Sequence, residues 1–512
     1  MSPDRPAAVV VLAAGEGTRM RSSIPKVLHQ IGGRSLVHHA VAAAAGLDPD
    51  HLVVVVGHGR DQVVEHLAAV APKATTAVQD RQLGTGHAVG VALHTLPDLH
   101  RGTVVVTYGD VPMLTADTLT ALVAAHHGQG NAVTVLTAVL DDPTGYGRIL
   151  RASDDSIAAI VEHKDATVDQ QAVREVNSGV YAFAAAALRA GIAQLDTDNA
   201  QGELYLTDVL THARTAGGRT GALVVEDTWQ VEGVNDRAQL AALHGELNRR
   251  TVDRWTRAGT TILDPGSVRI DADVTLEPDT VLESNVRLLG ATSIATGARI
   301  GPDCHLSDTR VGAGAVVRCT TCEGADIGPD ATVGPYTYLR PGTRLGRGAK
   351  AGGFVEMKKA DVGDGAKVPH LSYVGDATIG AGANIGAGTI FANYDGVTKS
   401  HTVVGKHSFV GSDSVLIGGV TIADGAYVAA GSTITGDVGP GELAVARGKQ
   451  RSIAGWVARR RAGTRTAAAA DAAAVSTAAT ASTAGSGAAA TPADQSSTDS
   501  AQPADAQEGH QR

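Results

Sequence analysis

The chain has 512 residues, room for two or more domains. Lys plus Arg number 43 against 53 for Asp plus Glu, a formal net charge of −10, which argues against a general nucleic-acid binder. No apolar run reaches membrane-spanning length and no secretory signal precedes the first strand pattern, so no membrane span is expected; three cysteines, an odd number, predict a reducing, cytoplasmic setting.

Residues 7–14 form an unbroken apolar run, the mark of a buried strand. Gly15-Glu-Gly-Thr-Arg-Met20 follows, then Pro25-Lys26. Helical patterns are predicted over 35–45, 61–69, 88–96 and 116–127, and strands over 52–57, 104–108 and 133–139. Strands alternating with helices predict a mostly parallel sheet covered on both faces. Ligands on such sheets bind at the carboxyl ends of the strands. Both the Gly15 loop and Asp110 fall at strand carboxyl ends, so they are expected to share one cleft. Glycines after a strand expose N–H groups that can wrap a polyphosphate, and Arg19 and Lys26 add charged donors. The same loop taken alone could be a plain turn with two solvated cations.

The pattern changes at residues 236–259, where Leu240, Leu243, Leu247 and Trp255 share one helical face. This predicts a single helix of about 35 Å at 1.5 Å per residue. A six-residue beat then takes over: Ile270, Leu276, Leu282, Leu288, Ile294, Ile300, later Ile327, Val333, Leu339, Leu345, and Val404 through Ile434. A fixed short period means a solenoid, and three hexapeptides would close one triangular coil of a parallel β-helix. The beat breaks at 306–311 and 374–379. A longer interruption at 391–402 carries Asn393-Tyr-Asp-Gly396 and is expected to be a loop on a working face. Cys319 and Cys322 form a lone CxxC, better read as repeat positions than as half a zinc site. Beyond a basic cluster at Lys449, Arg451 and Arg459–Arg461, the chain turns to Ala, Ser, Thr and Pro without period, which predicts disorder from 462.

The motifs are specific together. Leu12-Ala-Ala-Gly-x-Gly-Thr-Arg-Met20 with Pro25-Lys26, Gln82-Leu-Gly-Thr-Gly-His87, Tyr108-Gly-Asp110, Thr144-Gly-Tyr-Gly-Arg148, Ile160-Val-Glu-His-Lys164, Asn177-Ser-Gly179 and Val231-Glu-Gly-Val-Asn235 resemble a sugar nucleotidyltransferase signature. With a hexapeptide solenoid behind them, carrying Tyr338-Leu-Arg-Pro-Gly342, Phe354-Val-Glu-Met-Lys-Lys359, His370-Leu-Ser-Tyr373 and Asn384-Ile-Gly-Ala387, the chain resembles the bifunctional N-acetylglucosamine-1-phosphate uridylyltransferase/glucosamine-1-phosphate acetyltransferase family over residues 6–455.

The resemblance implies an α/β, Rossmann-like uridylyltransferase domain over 1–235, a linker helix over 236–260, a left-handed parallel β-helix acetyltransferase domain over 261–461 and a disordered tail over 462–512. It implies acetylation of glucosamine-1-phosphate by acetyl-CoA, then UMP transfer from UTP, giving UDP-N-acetylglucosamine and pyrophosphate for cell-envelope synthesis. Leu12, Ala13, Ala14, Gly15, Arg19 and Lys26 would hold the nucleotide, with Tyr108 and Gly109 beside them, while Gln79, Gly84 and Thr85 read the uracil. Gly147, Glu162 and Asn177 would hold the acetylated sugar, and Asp110 and Asn235 would bind Mg²⁺. In the second half His370 would be the general base, suited to deprotonating an amine near neutral pH, with Glu356 orienting it. Arg340, Lys358, Tyr373 and Asn384 would hold the amino-sugar phosphate. Ala387, Asn393, Tyr394, Ser412, Ala430 and Arg447 would meet acetyl-CoA, with the Ala387 region also supplying an oxyanion donor. The family implies a homotrimer with acetyl sites between rods. Two rivals are a nucleotidyltransferase with a merely structural or regulatory solenoid, and a non-enzymatic scaffold. The sequence departs from the family pattern at Pro369, at Glu16, and in its long tail.

Overall fold

The computed structural model describes residues 5–97 and 99–484. They fall into two units, one ending at Ala446 and the other beginning at Arg447.

The first unit starts with the strand Ala8–Ala13, buried throughout. Alternation sends Ala8, Val10 and Leu12 into the core on one face of the sheet, and Val9, Val11 and Ala13 into the core on the other. It pairs in parallel with His51–Val56 on one side and Thr103–Tyr108 on the other. The chain builds outward through His51–Val56 to Thr75–Val78, then crosses back to Thr103–Tyr108. The order therefore reverses at the first strand, and a crevice opens at the carboxyl ends there.

One interior strand, Glu175–Ala184, runs antiparallel between Thr103–Tyr108 and Val133–Val139, and Thr220–Val224 closes that edge. The hydrophobic pattern did not reveal this strand because its register shifts between Asn177 and Tyr181. The shift is set by Gly179, at φ +80°: a Cβ there would lie 2.2 Å from the Tyr108 ring. The irregularity thus lets a strand pass close over an aromatic at the end of its neighbour.

The helix Arg237–Arg257 has 21 residues and is capped by Asp236, whose carboxylate accepts from the Ala238 and Gln239 amides at 2.9 Å each. Leu243 joins a small core with Met20, Ile31, Leu36, Met113 and Val234, while Val252 and Trp255 pack into the solenoid. Buried Asn248 completes the junction. Its amide donates to Val268 O and accepts from Ile270 N, both at 3.0 Å, which supplies partners to the first coil that no earlier coil can give.

The solenoid is a stack of parallel pairs. Ile270 lies on Leu288 and Leu282 on Ile300, so a coil takes eighteen residues. The beat residues point inward as one continuous core. Four positions after many of them a Thr or Ser is buried and donates back to the backbone, as Thr280 Oγ1 does to Glu277 O at 2.7 Å. Shorter steps are more numerous than the two read from the sequence: Val317 to Cys322, Cys322 to Ile327 and Met357 to Val362 are also five residues apart. Cys322 and Met357 fill inward positions, so a beat sought in branched residues passes over them. Cys322 is buried in the column between Leu306 and Leu339, which settles the CxxC as repeat positions. The 391–402 interruption stands off as a small hairpin with a Tyr394–Lys399 bridge, its turn held by the Asp395 carboxylate accepting from the Val397 and Thr398 amides.

The second unit holds the short helix Trp456–Arg460, with the Arg461 guanidinium 5.5 Å over the Trp456 ring, and the helix Arg465–Ala484. That second helix corrects the expectation of disorder from 462: its Ala-rich sequence has the highest helix propensity, although only Ala467 is buried among its described side chains. Residues 485–512 of the expected tail lie outside the described residues.

Candidate functional sites

The crevice at the reversal point is a cavity of about 350 Å³ lined by Leu12, Ala13, Ala14, Gly15, Lys26, Gln79, Gly84, Thr85, Tyr108, Asp110 and Asn235 among others. Eleven positions singled out from sequence thus meet in one place, though they span more than 220 residues. The glycine loop leaves the first strand with nothing within 4 Å of where a Gly15 Cβ would sit, so its backbone faces open space. Gly109 N–H donates to Leu12 O at 2.8 Å, which clamps the two strand ends together. Lys26 ion-pairs with Asp110, and Arg19 donates to Asn235 Oδ1 at 2.9 Å. Val234 N–H donates to Asp110 O at 2.9 Å, so the two oxygen-bearing side chains are held as neighbours. Burial, with Glu162 and Asp110 nearby, pushes the Tyr108 phenol well up, so it stays a neutral hydrogen-bonding group.

Gly147, Glu162 and Asn177 are not among the residues lining that cavity and form a second cluster, with Glu162 near Tyr108. Asn177 N–H donates to Gly147 O at 2.8 Å, and a Cβ on Gly147 would lie 3.4 Å from the Glu162 carboxylate. Burial, then the charges of Asp165 and Asp208, raises the Glu162 carboxyl above its ordinary value. A carboxylate poorly solvated and facing a glycine opening suits the hydroxyls of a sugar.

On the solenoid, Tyr338, Glu356 and Tyr373 stack in register on one outer face, with Arg340 and Lys358 one step along. Arg340 Nη1 donates to Glu356 Oε1 at 2.9 Å. Glu356 therefore partners Arg340, and among the described residues no hydrogen bond ties it to the His370 ring, against the expectation that it orients that imidazole. The reason is register: Glu356 pairs with Tyr373, whereas His370 sits beyond the preceding corner, beside Gly353. The Lys358 ammonium is held below its ordinary value by Lys399, then by Arg340. Three cations converging on one surface make a site for an anion.

His370 ends the strand Lys367–His370 and is exposed, as are Tyr394, Ser412, Ala430 and Arg447. Asn384 follows Lys367 on that same sheet. Asn393 is buried at the base of the hairpin, where its amide donates to Asp376 Oδ2 at 2.5 Å. Ala387, Ser412 and Ala430 fall at one corner of successive coils, since Ile385 pairs with Val410 and Val410 with Val428. Arg447 opens the second unit.

Residues 9–208 match the MobA-like NTP transferase domain, and residues 401–436 match the bacterial transferase hexapeptide (six repeats). Both describe transferases. The protein called bifunctional protein GlmU is 57% identical in Kineococcus radiotolerans, over 92% of this chain and 96% of that one. Those of Streptomyces avermitilis and Streptomyces coelicolor are 56% and 55% identical, each over 92% of this chain and 98% of the relative. The chain belongs to the GlmU family.

Within a GlmU fold the solenoid is a left-handed β-helix, and here it begins well before the six matched repeats. The structure also adds residues to this GlmU family member's sites that motif reading did not assign. Gln82 Nε2 donates to Ala14 O at 2.7 Å and so anchors the glycine loop. It lay inside a quoted motif, but the motif alone gave it no role. Glu203 lines the strand-end cavity because Leu204 is tied to both Leu83 and Gly86 by backbone hydrogen bonds of 2.8 Å; no pattern in the sequence announces it. Lys399 sits on the inserted hairpin opposite Lys358 and is legible only once the loop is folded.

Proposed function

We propose that UMP transfer takes place in the strand-end cleft and acetyl transfer on the outer face of the rod at His370. As a GlmU family member the chain is a bifunctional transferase that acetylates glucosamine-1-phosphate and joins the product to UMP, giving UDP-N-acetylglucosamine. The observation that carries the placement of the first reaction is the meeting of Lys26, Asp110 and Asn235 in one cavity floored by the Gly15 loop, with Arg19 outside the lining and bonded to Asn235.

In that cleft the nucleophile is a phosphate oxygen of the sugar phosphate, anionic near neutral pH because a monoester's second pKa is about 6. No general base is required; the protein's work is positioning and charge neutralisation. Backbone N–H groups after Gly15 receive the phosphates. Lys26 and Arg19, already paired with oxygens facing the cavity, turn their charge onto them. Gly147, Glu162 and Asn177 hold the acetylated sugar. Asp110 and Asn235 offer one carboxylate and one amide oxygen, side by side. This hard-oxygen pair suits Mg²⁺, which keeps few protein ligands and draws the rest from phosphate and water. Mg²⁺ bound there would neutralise charge on the triphosphate.

On the rod, His370 takes the proton from the amine as it attacks the thioester. Arg340, Lys358 and Lys399 face the sugar phosphate, with Tyr373 and Asn384 at its hydroxyls. Ala387, Asn393, Tyr394, Ser412 and Ala430 meet acetyl-CoA. His370 is exposed at the end of its strand, and in this reading the opposite wall of its site comes from a second copy, a homotrimer supplying three such clefts. Among the described residues no helix is long and apolar enough to cross a membrane; we place the enzyme in the cytoplasm, where its nucleotide and acyl donors are made.

Two products measured on one preparation test the division. Asp110→Ala removes pyrophosphate release from UTP and leaves thiol release from acetyl-CoA within about twofold. His370→Ala lowers thiol release by two orders of magnitude or more and spares pyrophosphate, the range for loss of a general base. If either folded variant lost both activities together, the two-site reading would be refuted.

A further inference from the structure

Gln79 is buried at the base of the cleft. Its side-chain NH₂ is fully used: Nε2 lies 3.2 Å from Gly84 O, to which it donates, and 3.0 Å from His87 Nδ1. A carbonyl accepts only, so the Gly84 contact fixes which end of the amide is nitrogen. The second N–H then points at His87, whose Nδ1 must accept, leaving its proton on Nε2. Among the described residues Gln79 Oε1 has no donor, yet it is not sealed inside as an orphan; it opens on the cleft that the residue lines.

The two acceptors are rigidly placed. Gly84 has φ +104°, and a Cβ there would come within 2.6 Å of Leu204 O and 2.8 Å of Leu204 N, so only glycine fits and its carbonyl direction is set by the neighbouring loop. His87 lies in the first turn of the helix Thr85–Thr95, and the adjoining Thr85 Oγ1 accepts from Leu206 N at 3.2 Å.

We infer that His87 is a positioning residue for base selection: by accepting from Gln79 it locks the amide with its oxygen toward the nucleotide, so that the cleft takes a base presenting a ring N–H and refuses one presenting a bare ring nitrogen. Uracil carries N3–H; cytosine carries an unprotonated N3. Without the His87 acceptor the Gln79 amide keeps only its 3.2 Å bond to Gly84 O, so turning to present its NH₂ to cytosine costs one hydrogen bond instead of two. The inference rests on UMP transfer in this cleft and adds the residue that sets its preference for UTP over CTP. Polar sites discriminate strongly in this way because the wrong partner leaves a buried group unpaired.

The test compares His87→Leu and His87→Asn in full-length enzyme, with UTP and CTP as alternative donors and pyrophosphate as the readout. His87→Leu should raise the UTP KM about tenfold with a smaller change in kcat, and should narrow the UTP:CTP ratio of kcat/KM at least about tenfold. Asn can place Oδ1 near the position of Nδ1, so His87→Asn should restore the ratio to within about threefold of the parent. Thiol release from acetyl-CoA in the same preparations reports that the fold is intact. An unchanged UTP:CTP ratio in His87→Leu, or an equal loss in His87→Asn, overturns the assignment. A parent enzyme that turns over no UTP overturns the underlying reading of the cleft and this inference with it.

Discussion

Replacing Asn248 with Leu removes the helix side chain that bonds both Val268 O and Ile270 N of the first coil. The two groups left behind, Val268 O and Ile270 N, each lose a 3.0 Å hydrogen bond. Both belong to buried residues. Ile270 N is left without a partner, at about 1–3 kcal/mol, while Val268 O keeps the Arg269 Nη1 donor at 3.0 Å and gives up about 1 kcal/mol, so the pair loses about 2–4 kcal/mol. Leucine, close in size and apolar, returns about 1–2 kcal/mol by burial. The net is about 1–2 kcal/mol, felt locally at the junction. A global unfolding midpoint is a poor probe in so large a unit; hydrogen exchange at Ile270 is a direct one. At 1.4 kcal/mol per decade, exchange of that amide should quicken about five- to thirtyfold, while amides near Val410 keep their rates. A change below about threefold at Ile270 would refute the claim that Asn248 seeds the rod.

Lys399→Ala should raise the KM for glucosamine-1-phosphate about fivefold or more, since one of three converging cations is lost, with pyrophosphate release unaffected; substrate titration of thiol release checks it. Gly375→Ala places a Cβ 2.5 Å from the Tyr373 hydroxyl and 2.8 Å from Asn393 Nδ2, so acetyl transfer should fall severalfold through displaced side chains while the melting temperature stays within a few degrees. Buried His126 has its pKa pushed down to about 4 by burial and then by His127. Its unfolded value is about 6.5, so the unfolded chain takes up the proton first. The contribution is complete above about pH 6.5 and is lost as pH falls toward 4, at most about 3 kcal/mol. His126→Gln should flatten the acid side of the thermal stability profile of the nucleotide-binding half.

The architecture was largely legible because both halves announce their period. The unbroken apolar run at 8–13 can only be a strand buried on two faces, and a beat of six fits no single helix or strand. What stayed hidden was set by tertiary contact. The strand Glu175–Ala184 is interrupted by the glycine that lets it pass Tyr108, so its pattern is not continuous. The shorter coils depend on Cys322 and Met357 standing in for branched residues. In the first cleft, eleven of the residues carried by motifs line one cavity, while Arg19, Gly147, Glu162 and Asn177 lie outside its lining. Glu203 and Lys399 reach their sites only through loop geometry. Glu356 was assigned to the wrong neighbour because two residues close in sequence lie on opposite sides of a corner.

The rod's pairing has one further effect. Each coil rests on the one below through matched residues, Ile270 on Leu288 and Leu288 on Leu306, with no contact needed from farther along. Inserting one whole repeat of three hexapeptides between the junction and His370 would lift the acetylating face by one strand spacing, about 4.8 Å, without rewriting either chemistry. Distance between the two reactions is thus adjustable in discrete rungs, and the spine works as a ruler whose gradations are turns of chain.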